Sequence, residues 1–122
     1  MNKRLLVVDD QADLRLLLRL SLRALGDVVT AASVEQARAM VADEVPDLAV
    51  LDICLGDGQS GLDLCRSLRA DTGTRRTRII LLSANGQRSD IAAGLAAGAD
   101  DYLIKPFSPD VLQALAARLL EA

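Results

Sequence analysis

Short apolar runs alternate with helix-period segments from one end of this chain to the other, and that alternation restricts its fold more than any other feature. The runs are Leu5-Leu6-Val7-Val8, Leu48-Ala49-Val50-Leu51, Ile79-Ile80-Leu81-Leu82 and Tyr102-Leu103-Ile104, with a weaker one over Val28–Ala31. A strand that is apolar at every position must be covered on both faces, the habit of parallel sheets built from βα units. Between the runs, Asp13 to Leu25 carries Leu14, Leu17, Leu18, Leu22 and Leu25 as a core-facing stripe, and Gly26 is a fitting stop. Ser33 with Gln36 makes a capping box for a helix to about Ala42, and Pro46 breaks the chain before the third strand. A loop with Gly56, Asp57 and Gly58 leads into a helix from about Gly61 to Ala70, and Asp71 to Thr74 form the next loop. An Ala-rich helix spans about Arg88 to Ala97 with Gly98 as its stop. The last helix opens with Ser108 as cap and Pro109 in its first turn. Five βα units in 122 residues, without repeat or linker, predict one domain over residues 1–122. Its architecture is a three-layer α/β sandwich with a parallel sheet and right-handed crossovers.

What stands at the strand ends suggests chemistry. The first run is followed by Asp9-Asp10, the third by Asp52, the fourth by Ser83 and the fifth by Lys105-Pro106. Ligands of open α/β sheets bind at the rim where strands end, so these side chains would meet there. The sequence has no histidine, and an oxygen-only donor set suits a hard cation such as Mg2+, with phosphate as its guest. Three carboxylates close together repel one another, and a divalent ion resolves that conflict. A carboxylate beside such an ion can attack phosphorus to give an aspartyl-phosphate. Lys105 and Ser83 would then offer a positive charge and a hydroxyl donor to the phosphoryl oxygens.

Several function classes are set aside. Apolar stretches fall far short of the ~20 residues of a membrane span, and no signal-peptide pattern opens the chain. A soluble cytoplasmic protein is expected, and Cys54 and Cys65 have neither zinc nor C-x-x-C spacing. The formal charge of −3 argues against general nucleic-acid binding, and Arg75, Arg76 and Arg78 read as the solvated start of a strand. With Tyr102 and Phe107 as the only aromatic residues, there is no stacking platform for bases or flavins. A nucleotide-binding module would want a Gly- or Ser-rich loop after strand one, where an acidic run from Asp9 to Asp13 stands instead.

Taken in order, Asp9-Asp10, Asp52, Ser83-Ala84 and Asp101-Tyr102-Leu103-Ile104-Lys105-Pro106-Phe107 resemble the receiver domain of bacterial two-component response regulators across essentially the whole chain. The resemblance implies a flavodoxin-like (βα)5 fold with strand order 2-1-3-4-5. It implies that Asp52 is the phosphoacceptor, taking a phosphoryl group from a phosphohistidine on a histidine kinase or histidine phosphotransfer protein. Mg2+ would be held by Asp10, Asp52 and the backbone carbonyl of Cys54, with Asp9 acting largely through metal-bound water. Lys105 would pair with the phosphoryl group and be followed by a cis peptide bond to Pro106. Ser83 would move toward phosphorylated Asp52 and Tyr102 would turn inward behind it. The face made by helix four, strand five and helix five would respond, and a homodimer could use it. Such a switch catalyses its own phosphorylation and dephosphorylation, with no separate substrate, no direct nucleic-acid contact and no membrane.

The departures from the family's pattern lie in two loops and at Gln11. Gly56 stands where a proline is frequent, and Gly61 lies one residue further from Asp52 than the usual glycine, implying a one-residue insertion. Gln11 replaces a frequent third acidic residue, and Cys54 and Asn85 fill the two variable positions that tune phosphoryl lifetime. A phosphorylation-independent pseudo-receiver is the alternative, and the intact five-residue set speaks against it. An aspartyl phosphatase would want a second aspartate two residues after its nucleophile, where Gln11, Ala12 or Cys54 stand. On helix one, Leu16, Leu20 and Arg19 fall on a second face, expected to help dock the phosphodonor's helix.

Overall fold

Alternation along each strand shows why the runs are apolar throughout. Leu5 and Val7, Leu48 and Val50, and Ile80 and Leu82 bury themselves in one core with Leu18, Leu22, Leu112 and Ala116. Their neighbours Leu6 and Val8, Ala49 and Leu51, and Ile79 and Leu81 bury themselves in another with Ala37, Leu64, Cys65, Leu68 and Ala97. A strand has only two faces, so helices on both sides leave no position for a polar residue.

The structure is a computed structural model that describes residues 2–55, 60–84 and 88–121. Its elements are β1 (Lys3–Val8), α1 (Ala12–Leu22), β2 (Gly26–Ala31), α2 (Val34–Asp43), β3 (Leu48–Asp52), α3 (Gly61–Ala70), β4 (Arg78–Ser83), α4 (Arg88–Ala96), β5 (Asp101–Ile104) and α5 (Pro109–Glu121). All pairings between these strands are parallel and the strand order is β2-β1-β3-β4-β5, as expected. From the two cores, α1 and α5 cover one face of the sheet, and α2, α3 and the end of α4 cover the other. Eight of the twelve largest fully buried side chains belong to β1, β3 and β4. At about 1.5–3 kcal/mol for each buried aliphatic side chain, those central strands form the firm floor on which the rim residues stand.

Local signals explain most of the boundaries. The Ser33 side chain accepts from Gln36 N at 3.1 Å, and Gln36 Oε1 reaches back to Ala32 N at 2.7 Å, one residue earlier than a standard capping box. Gly98 closes α4 with a φ of 102°, a left-handed conformation that costs a side chain 1–2 kcal/mol or so. The Lys105–Pro106 peptide bond is cis, as the resemblance implied.

Helix one is shorter than its leucine period suggested. It ends at Leu22, and Gly26 does not follow a helix but opens β2, paired with Lys3. Strand pairing claims Gly26 and Asp27, so β2 starts two residues before Val28. Leu17, expected in the core, is 39% exposed and lines a surface hollow with Leu14, Lys105, Pro106 and Phe107. The buried seam of α1 is the narrower pair Leu18 and Leu22, with Leu14 and Leu25 packed at its margin. Gly56, Asp57, Gly58 and Asn85 lie outside the described residues.

Candidate functional site

Asp9 follows β1, Asp52 ends β3 and Lys105 follows β5, so parallel strands bring residues remote in sequence to one rim. Lys105 Nζ lies 2.8 Å from Asp52 Oδ2 and 3.4 Å from Asp9 Oδ2. Asp10 completes the group: carboxylate oxygens of Asp9, Asp10 and Asp52 all lie within 4.8 Å of one another. Asp9 and Asp52 are buried while Asp10 is exposed, so the cluster opens to solvent on one side.

Each carboxylate is oriented by its own backbone. Asp9 Oδ1 accepts from Gln11 N at 2.9 Å, and Asp52 Oδ1 accepts from Cys54 N at 3.1 Å, two Asx-type turns that leave the second oxygens free to face Lys105. The Arg15 guanidinium donates to the Asp9 carbonyl at 2.8 Å and ties α1 to the loop that carries the pair. Lys105 N donates to Ser83 O at 2.8 Å, which continues the β4–β5 ladder beyond Ile104 and sets the lysine at the rim. Beneath Asp52, α3 starts in direct backbone contact: a Cβ on Gly61 would sit 2.1 Å from the Asp52 carbonyl oxygen. Gly61 N also donates to Ile53 O at 3.1 Å, and Cys54 bridges Ser60. Glycine at position 61 is therefore required despite its shifted spacing.

The electrostatics follow from this packing. Burial pushes the Asp9 carboxyl above its ordinary range; the Gln11 N–H opposes that and the Asp52 charge adds to it. Burial also works against the Lys105 ammonium, but its hydrogen bond to Asp52 and the attraction of Asp52 and Asp9 together outweigh it and hold it above the usual lysine range. Two buried carboxylates share one cation, with a third carboxylate alongside. Hard oxygen donors, excess negative charge and an open side fit a small divalent cation.

Ser83 and Tyr102 occupy the other side of the sheet. Ser83 ends β4 in the same alternation as Ile79 and Leu81, which face α3 and α4, and it is buried. Tyr102 pairs with Leu81, packs partly against that same core, and lines a hollow with Val111, Leu115 and Arg118. The two lie on one route from the rim to the edge strand β5. Cys54 is exposed next to the acidic group, whereas Cys65 is buried and its thiol reaches Ala97 O at 3.4 Å. Nothing in the sequence pattern marked Gln11 N–H or Arg15, because one acts through backbone and the other sits among surface arginines.

The family model described as the response regulator receiver domain matches residues 5–117. The phosphate regulon transcriptional regulatory protein PhoB of Rhizobium meliloti is 42% identical over 124 residues, covering 100% of this chain and 54% of that protein. The DNA-binding response regulator MtrA of Mycobacterium tuberculosis is 44% identical over 115 residues, 93% of this chain and 49% of MtrA. The chain thus spans about half the length of the curated relatives it matches. The BeF3-activated receiver domain of DrrB, a Thermotoga maritima OmpR/PhoB homologue, superimposes with a TM-score of 0.90 at 34% identity, each chain covered fully.

Proposed function

Because this chain belongs to the response regulator receiver domain family of two-component systems, we propose that it is a phosphorelay switch whose acceptor is Asp52. The observation that carries this reading is the placement of Lys105 Nζ between Asp52 and Asp9 inside a three-carboxylate cluster. The Asp52 carboxylate oxygen attacks the phosphorus of a partner's phosphohistidine; the P–N bond breaks and the imidazole leaves with the electron pair. Lys105, already at hydrogen-bond distance from Asp52, neutralises charge on the transferred group. Bound Mg2+ would supply further charge neutralisation on the phosphoryl oxygens. Asp10, Asp52 and the Cys54 carbonyl would hold that ion, with Asp9 acting through water. The partner is a histidine kinase or histidine phosphotransfer protein, met in the cytoplasm; no helix among the described residues is long and apolar enough to cross a membrane.

Ser83 and Tyr102 read the new phosphoryl group, and their common side of the sheet supports that pairing. The response is a shift between two states of the α4–β5–α5 face. Exposed Leu95, Ile104 and Val111 on those elements support its use as a contact surface, including for a second copy. Incubation with magnesium and a small phosphodonor tests the acceptor. Borohydride trapping should mark Asp52 in the tryptic peptide ending at Arg66; a mark on another residue, or none, defeats the reading.

The donor's helix would dock on α1. Leu16 and Leu20 are 57% and 48% exposed and line a hollow with Arg19 and Arg23. Changing both leucines to aspartate should reduce transfer from a phosphorylated partner by about tenfold or more, since buried anchors dominate such interfaces. Labelling by the small phosphodonor should persist; equal loss of both would refute the docking role.

A further inference from the structure

At the opposite end of β4 from Ser83, a hollow of about 530 Å3 is lined by Arg69, Arg75, Arg76, Arg78 and Asp100. We propose that this basin binds a compact anion carrying two or more linked phosphates, the phosphate chain of a nucleotide or of inorganic polyphosphate. It lies about 17 Å along the strand from the phosphorylation rim, at 3.3 Å per residue, and is a separate site.

The basin is pre-organised by its deepest arginine. Arg69 Nε donates to Gly98 O at 2.6 Å, and Nη2 pairs with Asp100 Oδ2 at 2.5 Å. Its Nη1 donates to the carbonyls of Arg75, at 2.9 Å, and of Thr77. One guanidinium thereby holds the backbone from which Arg75, Arg76 and Arg78 project, and engages two of its carbonyl oxygens. Among the described residues, Asp100 is the only acid in the lining. Its Oδ2 accepts from Arg69 and from Ile79 N at 2.8 Å, and Arg78 meets Oδ1 at 3.4 Å. Arg75 and Arg76 are exposed and make no side-chain ion pair among the described residues. Cations gathered in a concave wall repel one another until an anion enters, and guanidinium forks match phosphate oxygens two at a time.

Size and charge select the guest. The volume falls within the roughly 300–1,000 Å3 of small-molecule sites. No aromatic residue lines it, so a base would gain no stacking and the phosphates must carry recognition. The sequence has 14 basic and 17 acidic residues; without these four arginines and Asp100 it keeps 10 against 16. A long polyanion would meet that repulsion, whereas a compact one would not.

Calorimetric titration in magnesium-free buffer with chelator tests the site, using tripolyphosphate, ATP and AMP. Wild type should bind tripolyphosphate and ATP, both well ahead of AMP. Arg75→Ala/Arg76→Ala should weaken both by at least about tenfold, equivalent to 1.4 kcal/mol. Lys3→Ala/Arg118→Ala removes equal charge from exposed positions outside the basin's lining and should leave affinity within about twofold. ATP binding tighter than tripolyphosphate assigns the nucleotide, and equal binding assigns the phosphate chain alone. No heat with wild type, equal weakening in the two double variants, or duplex DNA binding ahead of tripolyphosphate would overturn the proposal.

Discussion

Lys105→Met is expected to lower the stability of the magnesium-free protein by about 2–3 kcal/mol and to slow phosphoryl transfer to Asp52 by about 10²–10³-fold. Methionine keeps the apolar stem that crosses the rim and removes only the ammonium, so the change reads charge more than packing. Asp52 and Asp9 are almost wholly buried, and Lys105 is the cation beside both. Breaking such a pair leaves two carboxylates facing each other without a counter-ion, costlier than the pair itself is favourable. The lysine side chain is itself about one-fifth exposed, which keeps the expected loss below the full value for a buried pair. Bound magnesium would supply the missing charge, so denaturant midpoints should rise more with added Mg2+ in the variant than in wild type. Transfer should stay slow at saturating Mg2+, because the ammonium that stands 2.8 Å from Asp52 would still be missing. A variant matching wild type in both measurements would remove Lys105 from the proposed mechanism.

The strands and the gathering of the acidic residues with Lys105 were legible because each rests on a local, repeated signal, whereas the strand order came from the family resemblance. An all-apolar run followed by a polar residue leaves little freedom once helices must cover both faces. What was not legible depended on the third dimension. The leucine period of α1 runs to Leu25, yet pairing between Gly26 and Lys3 takes the chain into β2, and Leu17 turns out toward Pro106 and Phe107. Position 61 looked like a displaced glycine; the backbone contact with Asp52 shows why no side chain fits there. Arg75, Arg76 and Arg78 read as a solvated start to β4. Their fourth companion, Arg69, comes from α3 and fastens the loop through carbonyls, a bond that leaves no mark in residue type.

Asp9→Asn should raise the stability of the magnesium-free protein by on the order of 1 kcal/mol, while weakening magnesium binding by about 10- to 100-fold. Asparagine can still accept the Gln11 N–H, so the turn after β1 is kept and only the charge is lost. In wild type, burial and Asp52 hold the Asp9 carboxyl above its ordinary range. Between the ordinary range and that raised value the folded state binds more protons than the unfolded chain. Stability attributable to Asp9 therefore falls as pH rises through this window, and the cost is fully present once the pH exceeds the raised value. Urea midpoints measured upward from acid should show this loss in wild type and not in Asp9→Asn. Magnesium affinity should run the other way, rising with pH in wild type as the proton leaves and changing less in the variant. The same carboxylate thus strains the metal-free fold and prepares it for a cation. Equal magnesium affinities in the two proteins would place Asp9 outside the metal's reach.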